Sequence, residues 1–95
     1  MTKADIVSNI SDKLGIDKND VQMTIESFMS EVKSSLEKGE NVYLRGFGSF
    51  IIKTRAKKTG RNISKNTAVI IPAHNIPAFK ASKVFVNAVK AKVSV

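Results

Sequence analysis

From Lys53 to Pro72 the chain reads KTRAKKTGRNISKNTAVIIP, with six basic side chains, no acidic one, and Ile63 set alone among polar neighbours. The cations Lys53, Arg55, Lys57, Lys58, Arg61 and Lys65 suit one kind of chemistry. Ammonium and guanidinium groups neutralise phosphates and release condensed counterions, which gives affinity for a polyanion without sequence preference. Their spacing adds geometry. Lys53, Arg55 and Lys57 recur at period two, so an extended chain sets them on one face, with Thr54, Ala56 and Lys58 on the other.

The charge of the whole chain points the same way. The net charge is +8, but residues 1–40 hold all eight acidic residues against five lysines, a balance of −3. Residues 41–95 hold eight lysines and three arginines with no Asp or Glu, a balance of +11. A basic region with nothing to neutralise it implies a polyanionic partner: DNA, RNA or an anionic membrane. The membrane is the poorest fit, because no apolar run approaches a span and the basic region alternates as a strand instead of forming an amphipathic helix. RNA fits less well than DNA, since no aromatic stacking platform lies on the basic stretch.

Enzyme chemistry finds few residues to work with. His74 is the only histidine, it stands beside Asn75, and there is no cysteine. That set supplies neither a metal cage nor a catalytic relay, so no cofactor and no small-molecule substrate is expected. Gly46 and Gly48 in GFGSF do not extend into a phosphate-cradling loop and read as a sheet turn. The N-terminus, MTKADIVSNI, lacks the apolar block of a signal peptide, and the absence of cysteine suits a reducing cytoplasm.

The basic stretch needs elements to position it. Thr2 and Asp5 form a capping-box start, Ile6, Val7, Ile10 and Leu14 follow at helical spacing, and Gly15 stops the helix. Asp17 caps a second helix with Asp20 in its first turn. Its stripe of Val21, Ile25, Phe28, Met29, Val32 and Leu36 is wider than the short first helix can cover. At residue 40 the period changes. NVYLR alternates as a strand, GFGSF turns, a second strand starts at Phe50, and TAVII reads as a return strand running into Pro72. Gly60, Asn62 and Asn66 are turn-capable residues near the midpoint, so the stretch between is expected to be a long β-hairpin with its apolar root in the sheet. PAFKAS leads to Ser82, an N-cap for a last helix with Val84, Phe85, Ala88 and Val89 on one face, and KAKVSV is expected to fray. With the arm projecting, roughly 75 residues remain for a core, a size at which pairing with a second copy is the simplest remedy.

RGFGSF at 45–50, RAKKTGRN at 55–62 and IPAHNIPAFKASK at 71–83 together resemble the HU/IHF family of bacterial DNA-binding proteins over nearly the whole chain. The resemblance implies an α+β intertwined homodimer: two N-terminal helices, a three-stranded antiparallel sheet with a long β-hairpin arm, and a C-terminal helix. The helical dimerisation region would be 1–39, the sheet 40–81 with its arm at about 53–73, and the last helix 82–95. Phe47, Phe50 and Phe79 match the family's aromatic dimer core. Arg55, Lys58 and Arg61 match its arm cations, joined by Lys53, Lys57 and Lys65 in the same field. Lys3, Lys80 and Lys83 match positions that contact the DNA flanks, and Lys18 and Arg45 are further candidates. Asn62 and Ile63 fall at the arm tip, with Ile63 where the family carries an intercalating proline. Asn66 and Ser82 replace glycines usual in the family.

The expectation is therefore a dimeric architectural protein that binds and bends double-stranded DNA through minor-groove arms, with little sequence preference, at the nucleoid. An IHF-type, site-selective subunit of a heterodimer is the alternative, because selectivity comes partly from DNA deformability at positions the protein never touches.

Overall fold

The computed structural model describes residues 1–62 and 67–94, with the backbone alone described at 60–62 and 67–69. They form two compact units, Met1–Ser35 and Leu36–Val95, divided close to the change of sequence period at residue 40.

In the first unit, local capping sets the helices. Thr2 Oγ1 accepts the Asp5 N–H at 3.3 Å, and the Thr2 N–H donates to Asp5 Oδ2 at 2.9 Å, the reciprocal box that satisfies two orphan donors of α1 (Lys3–Leu14). Gly15 ends it in the left-handed region at φ 68, where a side chain would be strained, and returns its N–H to Ser11 O at 2.8 Å. Asp17 caps α2 (Lys18–Glu37): its Oδ1 accepts the Asn19 N–H at 2.8 Å and its carbonyl accepts the Val21 N–H at 3.1 Å. Val7, Val21 and Val32 are buried, but Phe28 and Met29 of the α2 stripe remain 44% and 40% exposed.

The second unit carries the sheet. β1 (Val42–Leu44) turns through Gly46, at φ 83, into β2 (Gly48–Arg55), the Phe47 N–H closing the turn on Leu44 O at 3.0 Å. β3 (Lys58–Asn62) and β4 (Thr67–Ile71) follow, then β5 (His74–Ala81) and α3 (Lys83–Lys92). The three-stranded sheet has the order β1-β2-β5, all antiparallel, and β3 pairs with β4 in a separate two-stranded ladder.

This corrects the strand assignment made from sequence. TAVII is β4, a leg of the arm, and the third strand of the sheet is His74–Ala81, whose residues read in sequence as a lead-in to the last helix. Pro77 disguises it, since proline argues against a strand. The geometry admits it because β5 is an edge strand and Pro77 lies opposite Ile52. The Ile52 N–H points to the other side of β2, where it donates to Asn41 Oδ1 at 3.0 Å, so the Ile52/Pro77 pair is one that exchanges no ladder bond. Gly60 and Asn62 are also strand residues, in β3, and not part of the turn. Ile63, Lys65 and Asn66 fall within residues 63–66, which lie outside the described residues.

The two ladders form one hairpin in one register. Arg55 pairs with His74 and Lys58 with Ile71, leaving Ala56-Lys57 on one leg and Pro72-Ala73 on the other, with no inserted residue. Pro72 has no N–H to donate, which accounts for the break. The last helix begins as expected at Ser82, whose Oγ accepts the Phe85 N–H at 3.2 Å, and it continues through Lys92 where fraying was expected.

Candidate nucleic-acid interface

Residues directly opposite in an antiparallel sheet share a face, so register decides which side chains act together. Phe50 pairs with Phe79 and Val42, placing these three on one face. Lys53 pairs with Ile76, Arg55 with His74, and Ser49 with both Tyr43 and Lys80, placing these on the other. Lys53, Arg55 and Lys80 are therefore on the same face, all exposed, and no acidic residue occurs between positions 41 and 95. Their fields add, and nothing nearby in sequence cancels them.

This face continues towards α3 as an open depression lined by Tyr43, Arg45, Ser49, Lys80 and Lys83, among others. Lys83 is the first residue of α3 and Arg45 follows β1 directly. In the other direction the arm extends the cationic run: Lys57 lies at the ladder break, and Lys58 opens β3 opposite Ile71. Arg61 and Asn62 lie in β3, their backbones paired with Ala68 and Thr67.

Lys3 and Lys18 are placed apart from the other candidates, Lys18 as the first residue of α2 in the first unit. Lys3 also belongs to the first unit, and its Nζ lies 2.9 Å from Glu26 Oε1, with both side chains about half exposed. The Lys3 hydrogen bond, supported by Gln22 and by the lysine's charge, holds the Glu26 carboxyl below its ordinary 4.5. A phosphate would have to compete with this carboxylate for Lys3.

Behind the sheet, Phe79 lies 5.0 Å from Phe47 and 5.1 Å from Phe50, ring centre to ring centre. Phe85 of α3 joins at 5.5 Å from Phe47 and 6.5 Å from Phe79, a member of the cluster that sequence patterning assigns only to a helix face. Its signal is present in the chain: it stands three residues after the Ser82 cap, on the first turn, which must point back at the strand just left. The cluster is open on one side, with Phe47 46% and Phe79 41% exposed.

With this geometry in place, the comparison with known proteins is direct. Residues 1–90 match the family of bacterial DNA-binding proteins. The chain belongs to this family. Among relatives in the family, it is 38% identical over 85 residues to the DNA-binding protein HU of Clostridium pasteurianum, covering 90% of this chain and 93% of that one. It is 34% identical over 94 residues to the integration host factor subunit alpha of an Anaeromyxobacter strain, covering 99% of this chain and 83% of that protein. Among solved structures of the family, an Anabaena HU–DNA cocrystal structure matches with a TM-score of 0.89 at 31% identity, over 95% of this chain and 98% of that one. HU from Thermotoga maritima matches with a TM-score of 0.66 at 26% identity, over 95% and 100% of the two chains.

Proposed function

We propose that two copies of this chain pair through their apolar faces and that the dimer binds and bends double-stranded DNA with little sequence preference, as an architectural protein of the nucleoid. The observation that carries this reading is the register that aligns Lys53, Arg55 and Lys80 on one face of a sheet from which a basic hairpin extends. The Anabaena relative was crystallised with DNA, which supports the same partner here. Cations on the sheet and arm would neutralise phosphates, and arms of hairpin width suit the minor groove, where base edges distinguish little beyond A·T from G·C.

Pairing follows from the surfaces left open. Phe47 and Phe79 at the sheet and Phe28 and Met29 on α2 are large apolar side chains that their own chain leaves 40–46% exposed. Burying such surface contributes about 25 cal/mol per Å², and a second copy offers the same faces in return. In a pair, two arms would leave one body, so wrapped backbone contacts could offset the few kcal/mol needed to unstack and kink a duplex. Among the described residues no helix is long and apolar enough to cross a membrane. A place on chromosomal DNA in the bacterial cytoplasm agrees with the family and the charge.

The 34% identity to an integration host factor subunit favours a second reading, a site-selective DNA-bending subunit of a heterodimer. One experiment separates the two. Titrating random, nicked and A-tract duplexes at two salt concentrations should give a steep salt dependence with little sequence preference, and sedimentation should find dimers. A tight, weakly salt-dependent preference for one site would move the reading to the heterodimer subunit. Solitary chains, or no retention of duplex, would overturn it.

A further inference from the structure

Tyr43 is the chain's only tyrosine, and it is 72% exposed on the edge strand β1, on the face of the sheet that carries Lys53, Arg55 and Lys80. Such exposure leaves a large ring with little packing gain, although the depression it lines includes Leu44, Ile51 and Ala81 beside its polar residues. It stands in a row across the sheet, Tyr43 opposite Ser49 and Ser49 opposite Lys80, and it lines the depression that also includes Arg45 and Lys83.

The hydroxyl group is held in place. Asn41 Oδ1 accepts the Ile52 N–H at 3.0 Å, which settles which end of the amide is oxygen. The other end, Nδ2, therefore donates to Tyr43 Oη at 3.3 Å. A phenol oxygen that accepts from Asn41 keeps its own proton for a partner on the open side. Arg45, Lys80 and Lys83 line the same depression as Tyr43, and residues 41–95 carry no Asp or Glu. The complementary acceptor is an anionic oxygen.

We infer that Tyr43, oriented by Asn41 and flanked by Arg45, Lys80 and Lys83, is a fixed hydrogen-bond anchor for a backbone phosphate of the duplex, on the sheet and apart from the arm. This rests on the DNA-binding reading above. The occupant is a duplex backbone and not a free anion, because the depression opens onto the same face that presents Lys53 and Arg55. A row of cations along one surface fits a chain of phosphates. The anchor carries no charge of its own, so it contributes to holding the phosphate without displacing a counterion.

That difference gives the test. In the full-length protein, Tyr43→Phe should weaken duplex binding roughly tenfold, the size of a missing hydrogen bond to a charged acceptor, while the slope of log affinity against log salt stays unchanged. Lys80→Gln, measured alongside, should lower affinity and flatten the slope. Incorporated 3-fluorotyrosine gives a single fluorine resonance, which should shift when a short duplex is added to the otherwise unaltered protein. A phenylalanine variant that binds like the parent, or a fluorine resonance unmoved at saturating duplex, would overturn the anchor while the parent's own retention of duplex upholds the DNA-binding reading. A parent that retains no duplex overturns both.

Discussion

The ring of Phe79 lies where a side chain on Gly48 would be: a Cβ at Gly48 would fall 2.6 Å from Phe79 Cζ and 2.6 Å from the Lys80 carbonyl oxygen. The missing side chain in GFGSF thus lets β2 and β5 close over the aromatic cluster. Gly46, in the same motif, serves a different purpose, the positive φ of the turn. Gly48→Ala should therefore destabilise the protein, by about 1–3 kcal/mol as in other overpacked sites, because one of the three clashing atoms is backbone and cannot swing away. Urea denaturation at fixed protein concentration measures it. An unchanged midpoint would show that the ring and the strand shift at no cost.

Lys53→Gln, Arg55→Gln and Lys80→Gln should each flatten the salt dependence of duplex binding. Removing one phosphate neutralisation lowers the log–log slope by about 0.9, or about 1.8 when both copies in a dimer carry the change. The weakening should be nearly uniform across DNA sequences, since phosphate contacts carry no base information. Fluorescence anisotropy titrations at four salt concentrations would show it, and a slope equal to the parent's would remove that residue from the interface.

Lys3 should behave differently, because Glu26 already occupies it at 2.9 Å. Lys3→Gln is expected to change the DNA salt slope less than Lys80→Gln does. The same pair gives a small pH effect on folding. Glu26 has a lowered folded-state pKa, so its contribution is present above the unfolded carboxylate value and is lost as pH falls through the lower, folded one. Both groups are solvent-accessible, so the effect should be slight and should fade with salt. Comparing thermal midpoints of the parent and Lys3→Met from pH 5 downwards, at low and high salt, tests this. An acid-side difference that persists in high salt would contradict it.

Ile63, which the family resemblance sets at the arm tip, gives a further expectation: Ile63→Ala should reduce DNA bending more than affinity at low salt. An apolar side chain at a solvated tip gains little unless a dry site receives it, and a gap between base pairs is such a site. Energy transfer between dyes at the two ends of a short duplex reads the bend. Bending unaltered by the substitution would exclude the wedge.

The helices of this protein were legible from single residues. Thr2 with Asp5, Gly15, Asp17 and Ser82 each cap or stop a helix where their types and spacing placed them, because capping is a contact between near neighbours in the chain. The basic segment was equally legible, since a run without carboxylates is a property of composition. The sheet was less so. Pro77 made a true strand look like a connector, while TAVII, with its β-branched run, looked like the strand it would replace. Local preference ranked them the wrong way, because only pairing with β2 distinguishes them.

The sequence by itself determined where charge concentrates, where helices begin and end, and that a hairpin must cross the basic stretch, all of which depend on residue type and near neighbours. Tertiary structure decided that His74–Ala81 fills the third place in the sheet. It thereby put Lys80 on the face of Lys53 and Arg55 and Phe79 on the opposite one, while the pairing of β1 with β2 put Tyr43 on the cationic face. The physical reason is that strand pairing joins residues about 20 to more than 30 positions apart, and a shift of one residue in register would turn every side chain of the strand to the other face.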